Sequence, residues 1–252
     1  MGRGRRWCSW CSLTLLVLGA LLPAARAETP RADAGPRLAI VIDDLGYDRA
    51  SAESLAALPV PLTVSVLPHL PASAEIAEAA WRRGCEVLLH LPMESASGRA
   101  REAIGLRSGM DARAVDALLG RMLETVPHAV GVSNHQGSVA TADPALMDAL
   151  MAALRARGLF FVDSRTTTAT VAAATAEHSG VRASSRNVFL DNVRERGAIL
   201  DSLRLAELYA ERHGSAIAIG HPHPVTIATL AAGLPALRAQ GIRFVFASDV
   251  VR

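Results

Sequence analysis

The sequence predicts an α/β fold, a single-domain barrel that is distorted or incomplete and contains about seven to eight parallel strands. Short apolar runs alternate with stretches of helical periodicity from residue 37 to the end of the chain. Nearly every apolar run ends on an Asp or a His, and in repeated βα units such ends face one side, where active sites are built. These runs end at Asp44, His69, His90, His135, Asp163, Asp191 and His221. A doubly wound open sheet is the rival architecture.

Nearly every apolar run is followed by a segment with the pattern of a helix. The predicted helices cover residues 49–57, 73–83, 112–125, 144–157, 170–179, 196–213 and 226–240. Pro144 behind Asp143 is a favoured first helical residue behind an N-cap. A glycine closes five of these helices just before the next apolar run, at Gly84, Gly158, Gly180, Gly214 and Gly241. A last strand over residues 242–247 brings the predicted strand count to about eight.

The N-terminus has the pattern of an export signal. Three arginines, Arg3, Arg5 and Arg6, precede the apolar residues 13–22, and Ala25-Arg26-Ala27 matches a small-x-small cleavage site. We therefore expect a signal peptide over residues 1–27, a leader over 28–36 and the barrel domain over 37–252. The apolar run is too short for a comfortable membrane span. The expected product is soluble, exported and periplasmic, with no stable membrane insertion after cleavage.

Charge and cysteine content narrow the class of protein further. The formal net charge is +2, and loss of the four arginines in residues 1–27 changes it to about −2. This charge balance argues against a basic surface that binds nucleic acid and against a polybasic patch that binds membranes. Only Cys85 stays in the mature chain, so no internal disulfide is possible. Cys85 precedes a predicted strand and is a better candidate for a small core residue than for a nucleophile.

Two adjacent carboxylates, Asp43 and Asp44, follow a buried strand where it opens into a turn. Because side chains alternate along a strand, we expect the two to point in different directions. One could then bind a metal ion while the other handles a proton. A helix cap beside a solvated Asp is the alternative interpretation.

Two further strand ends carry candidate metal ligands. His90 and Glu94 lie four positions apart, and imidazole with carboxylate suits zinc or another divalent transition ion. A capping Glu near a structural His is the alternative. At the next strand end His135 could complete a metal shell, while Asn134 or Ser138 could orient a ligand; a structural turn is the alternative there.

The last polar strand end contains two histidines in the sequence Gly220-His221-Pro222-His223-Pro224. The prolines favour extended geometry in the residues before them, so the two imidazoles should face opposite ways. We expect His221 to act as general acid or transition-state stabiliser, and we include His223 and Asp163 as candidate substrate contacts. Asp163 could instead orient a histidine. Asp191, Asn192 and His69 are weaker candidates, expected to be structural or to form the rim.

The order of the motifs IDDLG, LHLPME, SNHQGS, FFVDSRTT, VFLDN and AIAIGHPHP resembles the divergent polysaccharide deacetylases, a branch of the NodB-like carbohydrate esterases. The resemblance covers roughly residues 37–252. It implies a distorted (β/α) barrel that holds a divalent metal, usually Zn²⁺, through an Asp and two His. By similarity Asp43 would be the base, Asp44 and His90 metal ligands, and His221 the acid.

The chain departs from the family pattern at two places. Glu94 stands where the superfamily has its second metal-binding histidine, and the arginine-containing substrate motif after the next strand has no evident counterpart, since His135 occupies that region. The resemblance therefore implies a shell of Asp44, His90 and either Glu94 or His135.

The function expected from the motifs and the resemblance is that of an exported, metal-dependent hydrolase. It would remove acetyl groups from an amino-sugar polymer such as peptidoglycan or another envelope glycan. A catalytically silent glycan-binding or envelope-assembly protein with the same barrel is the alternative, and hydrolysis of a different ester or amide is a third. The sequence names no protein partner.

Overall fold

The computed structural model describes Met1, residues 35–98 and residues 104–252, and residues 35–252 form one compact unit. The expected signal peptide and nearly all of the expected leader lie outside the described residues. No helix in the described part of the chain is long and apolar enough to cross a membrane.

Nine strands of the described chain form one sheet in which every pairing is parallel. They are β1 Arg37–Leu45, β2 Thr63–Val66, β3 Glu86–Met93, β4 Ala129–Gln136, β5 Phe160–Asp163, β6 Ala183–Ser185, β7 Val188–Phe189, β8 Ser215–Gly220 and β9 Arg243–Val245. Their order is β6-β5-β4-β3-β2-β1-β8-β7, and β9 pairs with the first three residues of β1.

The sheet curls into an incomplete barrel. Strands β6 and β7 stand at opposite ends of the strand order, yet only Arg186 and Asn187 separate them along the chain. Two residues can bridge a gap of only roughly 11 Å, so the two edges must lie near each other. No ladder joins β6 to β7 among the described residues. The predicted distorted or incomplete barrel is confirmed, and the open sheet is not formed.

In the described residues, seven α-helices connect the strands and cover the outside of the barrel. They are α1 Arg49–Ser54, α2 Ser73–Arg82, α3 Ala112–Leu123, α4 Pro144–Ala156, α5 Ala172–Ser179, α6 Arg196–His213 and α7 Pro224–Ala239. Asp143 caps α4 by accepting a hydrogen bond from the backbone N–H of Leu146, and Pro144 is the first helical residue, as the sequence predicts. The predicted helix over residues 49–57 is α1 followed by a 3₁₀ turn, Leu55–Ala57.

The strands separate two apolar clusters. Alternate residues of β1 pack outward against the helices, as Leu38, Ile40 and Ile42 do, whereas Ala39 and Val41 belong to the cluster inside the barrel. Ala247, Val250 and Val251 of the C-terminal segment complete the inner cluster.

Candidate metal centre

The two adjacent acids at the end of β1 converge on one imidazole. Asp43 continues the inward-facing positions of β1, and Asp44 adopts a left-handed backbone conformation with φ of 61°. The pairing of β1 with β2 shifts register between Ile42 and Leu45 at this point. As a result Asp44 Oδ1 lies 3.1 Å and Asp43 Oδ2 lies 3.7 Å from His90 Nε2. The expectation that the two side chains diverge is wrong, because it assumes a regular strand.

Asp44, His90 and His135 bring three ligand atoms together. Asp44 Oδ1 lies 3.1 Å from His90 Nε2 and 2.9 Å from His135 Nδ1, and these two nitrogens are 3.2 Å apart. In a tetrahedral zinc site with bonds of about 2.0–2.1 Å, neighbouring ligand atoms are roughly 3.3 Å apart. The triangle therefore has the size of one face of such a site, and its donors are those that zinc accepts.

The surroundings of the triangle orient its ligands. His90 is almost fully buried, and its Nδ1 lies 2.7 Å from the hydroxyl oxygen of Ser133. That contact leaves Nε2 as the atom facing the carboxylates. Burial would raise the pKa of Asp44, but hydrogen bonds from His135 and His90 outweigh it and hold that pKa well below its usual range. Asp44 is therefore ionised at neutral pH.

The structure places Glu94 outside this triangle. Its Oε2 accepts a hydrogen bond from the backbone N–H of Ser108, 2.9 Å away, and its own carbonyl accepts from Val139 and Ala140. Glu94 thus ties together the loops after β3 and β4. Of the two alternatives for the third ligand, the geometry brings His135 and not Glu94 to Asp44 and His90.

His221 faces the triangle from the end of β8. Its Nε2 lies 3.8 Å from Asp44 Oδ2, and its Nδ1 lies 2.9 Å from Asp191 Oδ1. Asp191 Oδ2 also accepts hydrogen bonds from the His221 backbone N–H and from the hydroxyl of Thr226. Asp191, expected to be structural or to form the rim, therefore fixes the orientation of the histidine.

The charges around His221 favour its protonated form. Burial alone would lower the pKa of His221, but the hydrogen bond to Asp191 and the charges of Asp44, Asp191 and Asp43 raise it above its ordinary value. The pKa of Asp191 shifts in the opposite direction. Burial would raise it, but the hydrogen bond with His221 lowers it.

His223 lies beside this pair, at the start of α7, with its ring centroid 5.8 Å from that of His221. Burial and the charge of Arg194 lower its pKa. His223 and His221 belong with Asp191 to a second group of clustered donor atoms. The expectation that the two imidazoles face opposite ways is wrong, because their rings stack side by side; His221 is the one whose Nε2 lies 3.8 Å from Asp44 Oδ2.

Three of the residues predicted to contact substrate hold backbone loops. Asn134 is buried and pairs with Gln136 O and Ser164 N, each at 2.7 Å, while Asp163 accepts hydrogen bonds from Arg165 N and the hydroxyl of Thr170. Asn134 and Asp163 each stand two residues after an outward-facing residue of the same strand. Because side chains alternate along a strand, both turn away from the interior. Ser138 Oγ lies 3.2 Å from Ser95 Oγ and accepts a hydrogen bond from Ala96 N.

Arg186 is a charged residue near the site that the sequence reasoning missed. It connects β6 to β7, and its guanidinium donates to the carbonyls of Ser164 and Arg165 at the end of β5. Burial and the charge of Arg165 lower its pKa, and the charges of Asp163 and Asp43 oppose that shift. Ser133 was missed as well; its position two residues before His135, on the same face of β4, is the signal that could have revealed it.

The fold and these side chains define a β/α-barrel protein with a candidate metal centre at the carboxyl ends of its strands. The sequence matches the family described as divergent polysaccharide deacetylase over residues 40–251, and the chain belongs to that family.

Two bacterial relatives resemble this chain closely. An uncharacterized protein of Haemophilus influenzae is 43% identical over 198 residues, which are 79% of this chain and 71% of the relative. The uncharacterized protein YibQ of Escherichia coli is 40% identical over 194 residues, which are 77% of this chain but only 61% of the relative. The chain thus spans less than two thirds of the second relative.

Solved structures show the same architecture. An uncharacterized protein from Agrobacterium tumefaciens C58 superposes with a TM-score of 0.82 at 25% identity, covering 86% of this chain and 89% of the other. The catalytic domain of a peptidoglycan N-acetylglucosamine deacetylase from Eubacterium rectale gives 0.56 at 16%, covering 89% and 93%. A CE4 family pseudoenzyme from Bacillus anthracis gives 0.52 at 12%, covering 86% and 65%. The last two similarities concern the fold alone.

Proposed function

We propose that this protein is a metal-dependent hydrolase that removes acetyl groups from an amino-sugar polymer. The observation that carries the proposal is the arrangement around Asp44. Its Oδ1 meets His90 and His135 in a triangle of metal-binding size, and its Oδ2 faces His221 at 3.8 Å. A carboxylate without a metal-binding role, Asp43, lies beside the same triangle. A candidate base and a candidate acid thus accompany one ligand set.

Each residue of this arrangement has a separate task. Asp44, His90 and His135 would hold a divalent cation, most simply Zn²⁺, which supplies Lewis acidity to an amide carbonyl and acidifies water when bound. Asp43 takes the proton from the attacking water. His221, whose protonated form Asp191 favours, donates its Nε2 proton to the leaving sugar amine. Cleavage of the amide bond then yields acetate and a free amino sugar.

The proposal extends to the substrate class and the location, which the sequence and the family support. Residues 1–27 have the pattern of an export signal, which favours a soluble periplasmic protein and an envelope glycan such as peptidoglycan as substrate. The fold shared with a deacetylase of peptidoglycan N-acetylglucosamine is compatible with this choice. The division into signal peptide 1–27, leader 28–36 and barrel 37–252 is part of the same proposal.

A catalytically silent glycan-binding protein is the second candidate, since a pseudoenzyme shares the fold. Metal content and acetate release, measured together, separate the two. We expect wild-type protein purified without chelator to contain about one divalent ion per chain and to release acetate from N-acetylglucosamine oligomers or from peptidoglycan. A bound ion without acetate release from either substrate would favour the silent protein.

His135→Ala and Glu94→Ala form a matched pair for the metal centre. Removal of the third ligand should lower metal affinity by about tenfold or more, whereas Glu94→Ala should keep the ion because Glu94 bonds to Ser108. Loss of the ion in Glu94→Ala but not in His135→Ala would refute this ligand set.

A further inference from the structure

Two buried polar atoms inside the barrel have no hydrogen-bond partner among the described residues and lie on neighbouring strands. They are Asp43 Oδ1 and the hydroxyl oxygen of Ser65, and neither residue exposes more than 3% of its surface. A buried polar atom without a partner costs on the order of 1–3 kcal/mol, and nearly all such atoms in proteins are paired with protein or with water. Two of them close together call for a common explanation.

The register of the sheet sets these residues side by side. Ile42 of β1 pairs with Val64 of β2, so Asp43 and Ser65 are the next residues along the two strands, and the register shifts between Ile42 and Leu45. Both residues lie on the inner face, because Ile42 and Val64 belong to the outer apolar cluster. Paired positions on adjacent strands are about 4.8 Å apart, a separation that a hydroxyl and a carboxylate can span directly or through one water.

On its other side Ser65 pairs with Leu88 of β3, which belongs to the inner apolar cluster. The next inward-facing residue of β3, His90, already has its Nδ1 2.7 Å from the hydroxyl oxygen of Ser133. The inner face below these residues is lined by Ala39, Val41 and Ile219. Asp43 is therefore the polar group that the hydroxyl of Ser65 can serve.

The two oxygens of Asp43 face different surroundings. Oδ2 lies 3.7 Å from His90 Nε2 and so points to the candidate metal centre, whereas Oδ1 is the buried atom without a partner. A donor at Oδ1 would fix the rotation of the carboxylate and leave Oδ2 as the oxygen that accepts a proton. Catalytic groups need this kind of support, because small errors in their orientation reduce turnover strongly.

We infer that Ser65 is a positioning residue for Asp43: its hydroxyl donates a hydrogen bond to Asp43 Oδ1, directly or through one buried water, and thereby presents Oδ2 to the substrate side. This inference rests on the proposed function for its kinetic consequence. The hydrogen bond itself does not depend on that function.

Crystal structures of the metal-loaded wild type and of Ser65→Ala, at a resolution that shows ordered water, test the hydrogen bond. The expected result is a direct contact or one bridging water between Ser65 Oγ and Asp43 Oδ1, and a rotated Asp43 carboxylate in Ser65→Ala. An Asp43 carboxylate that keeps its orientation in Ser65→Ala, or a wild type without such a contact or water, would overturn the inference even if the protein proves to be silent.

Kinetics test the consequence separately. With an N-acetylglucosamine oligomer as substrate, Ser65→Ala should lower kcat about 10- to 100-fold and leave KM and metal content unchanged. Ser65→Thr keeps a hydroxyl and should therefore recover most of the wild-type kcat. Thr63→Val is the matched control, because Thr63 lies two residues away on the same face and its hydroxyl is already bonded to Glu86. It should lower stability without lowering kcat. Unchanged kcat in Ser65→Ala would contradict the positioning role, whereas absence of wild-type turnover would contradict the proposed function alone.

Discussion

The two ends of the barrel are built differently, although one non-glycine residue with a left-handed backbone, His128, also lies at the amino ends, just before β4. At the carboxyl ends of the strands Asp44, Gln136 and Arg165 adopt left-handed backbone conformations, with φ of 61°, 56° and 48°. Non-glycine residues in this region cost on the order of 1–3 kcal/mol each. Buried polar atoms without partners, such as Asp43 Oδ1, lie at this end as well. The carboxyl ends therefore contain left-handed backbone and unpaired polar atoms that lower the stability of the fold.

At the amino ends of the strands the polar groups are paired. The C-terminal segment crosses this end, where Thr63 Oγ1 donates to Glu86 and accepts from Ala247 N. Glu86 also accepts from Ser248 N, and Arg37 donates to the carbonyl of Asp249. Polar pairing that stabilises the fold is thus concentrated at the amino ends, whereas the candidate site lies at the carboxyl ends, as in other β/α barrels.

The largest expected effect comes from Asp43, the proposed base at the carboxyl end. Asp43→Asn keeps the shape of the side chain but removes its ability to accept a proton, so kcat for acetate release should fall by about 10²–10⁴-fold. The bound metal should remain, because Asp44 and not Asp43 closes the triangle.

Asp44→Asn is the control for that experiment, since the two acids are neighbours in the sequence. It should reduce both the metal content, measured by elemental analysis, and the turnover. If Asp43→Asn lost the metal and Asp44→Asn kept it, the roles of the two acids would be reversed.

The next effect concerns the pH dependence of turnover. Hydrogen bonding to Asp191 raises the pKa of His221, and an acid catalyst is lost as the pH rises through its pKa. Asp191→Asn removes the charge but can still accept a hydrogen bond from Nδ1. The basic limb of the kcat profile should therefore move to lower pH, and kcat near its optimum should fall about 10- to 100-fold.

Thr226→Val tests whether this shift comes from the charge of Asp191. It removes one hydrogen bond to Asp191 Oδ2 but leaves the carboxylate ionised. The basic limb should then move much less. Equal movement in both variants, or none in Asp191→Asn, would disprove the charge effect.

Much of the fold and the centre of the site could be predicted from the sequence. The apolar runs and their polar ends predicted the barrel, because carboxyl ends of parallel strands share one side. The alternation of side chains along a strand explains which polar residues reach the site. Asp43, His90 and His135 continue the inward-facing positions of their strands. Asn134 and Asp163 continue the outward-facing positions. Only Asp43 and Asp44 were assigned to strand faces from the sequence; the other polar residues at strand ends were not.

Other features depend on pairings that the sequence does not state. The register shift at Asp44 becomes visible only beside β2, and it turns an acid toward His90 that regular alternation would turn away. Strand β6, Ala183–Ser185, is too short and polar to be predicted, so Arg186 had no assigned place. The sequence placed Asp191 at a strand end. Only its contact with His221 distinguishes an orienting carboxylate from a residue of the rim.

A smaller effect is expected at the amino end of the barrel. Thr63→Val leaves the backbone N–H of Ala247 without its acceptor and removes a hydrogen bond to Glu86. The free energy of unfolding, measured by denaturant titration, should fall by about 1–3 kcal/mol. Turnover per folded molecule should stay unchanged. A loss of turnover comparable to that of Asp43→Asn would contradict the separation of the two ends.

The smallest expected effect measures the strain at the carboxyl end directly. Arg165 is exposed, and its backbone N–H and carbonyl, rather than its side chain, bond to Asp163 and Arg186. Arg165→Gly relieves the left-handed conformation but adds entropy to the unfolded chain, so the free energy of unfolding should rise by only about 0.5 kcal/mol. Thr168→Gly, an exposed position of the same loop where φ is negative, should instead lower it by about 0.5–1 kcal/mol. Equal destabilisation of both variants would mean that the left-handed backbone of Arg165 stores no strain, and the contrast between the ends would then rest on the unpaired polar atoms alone.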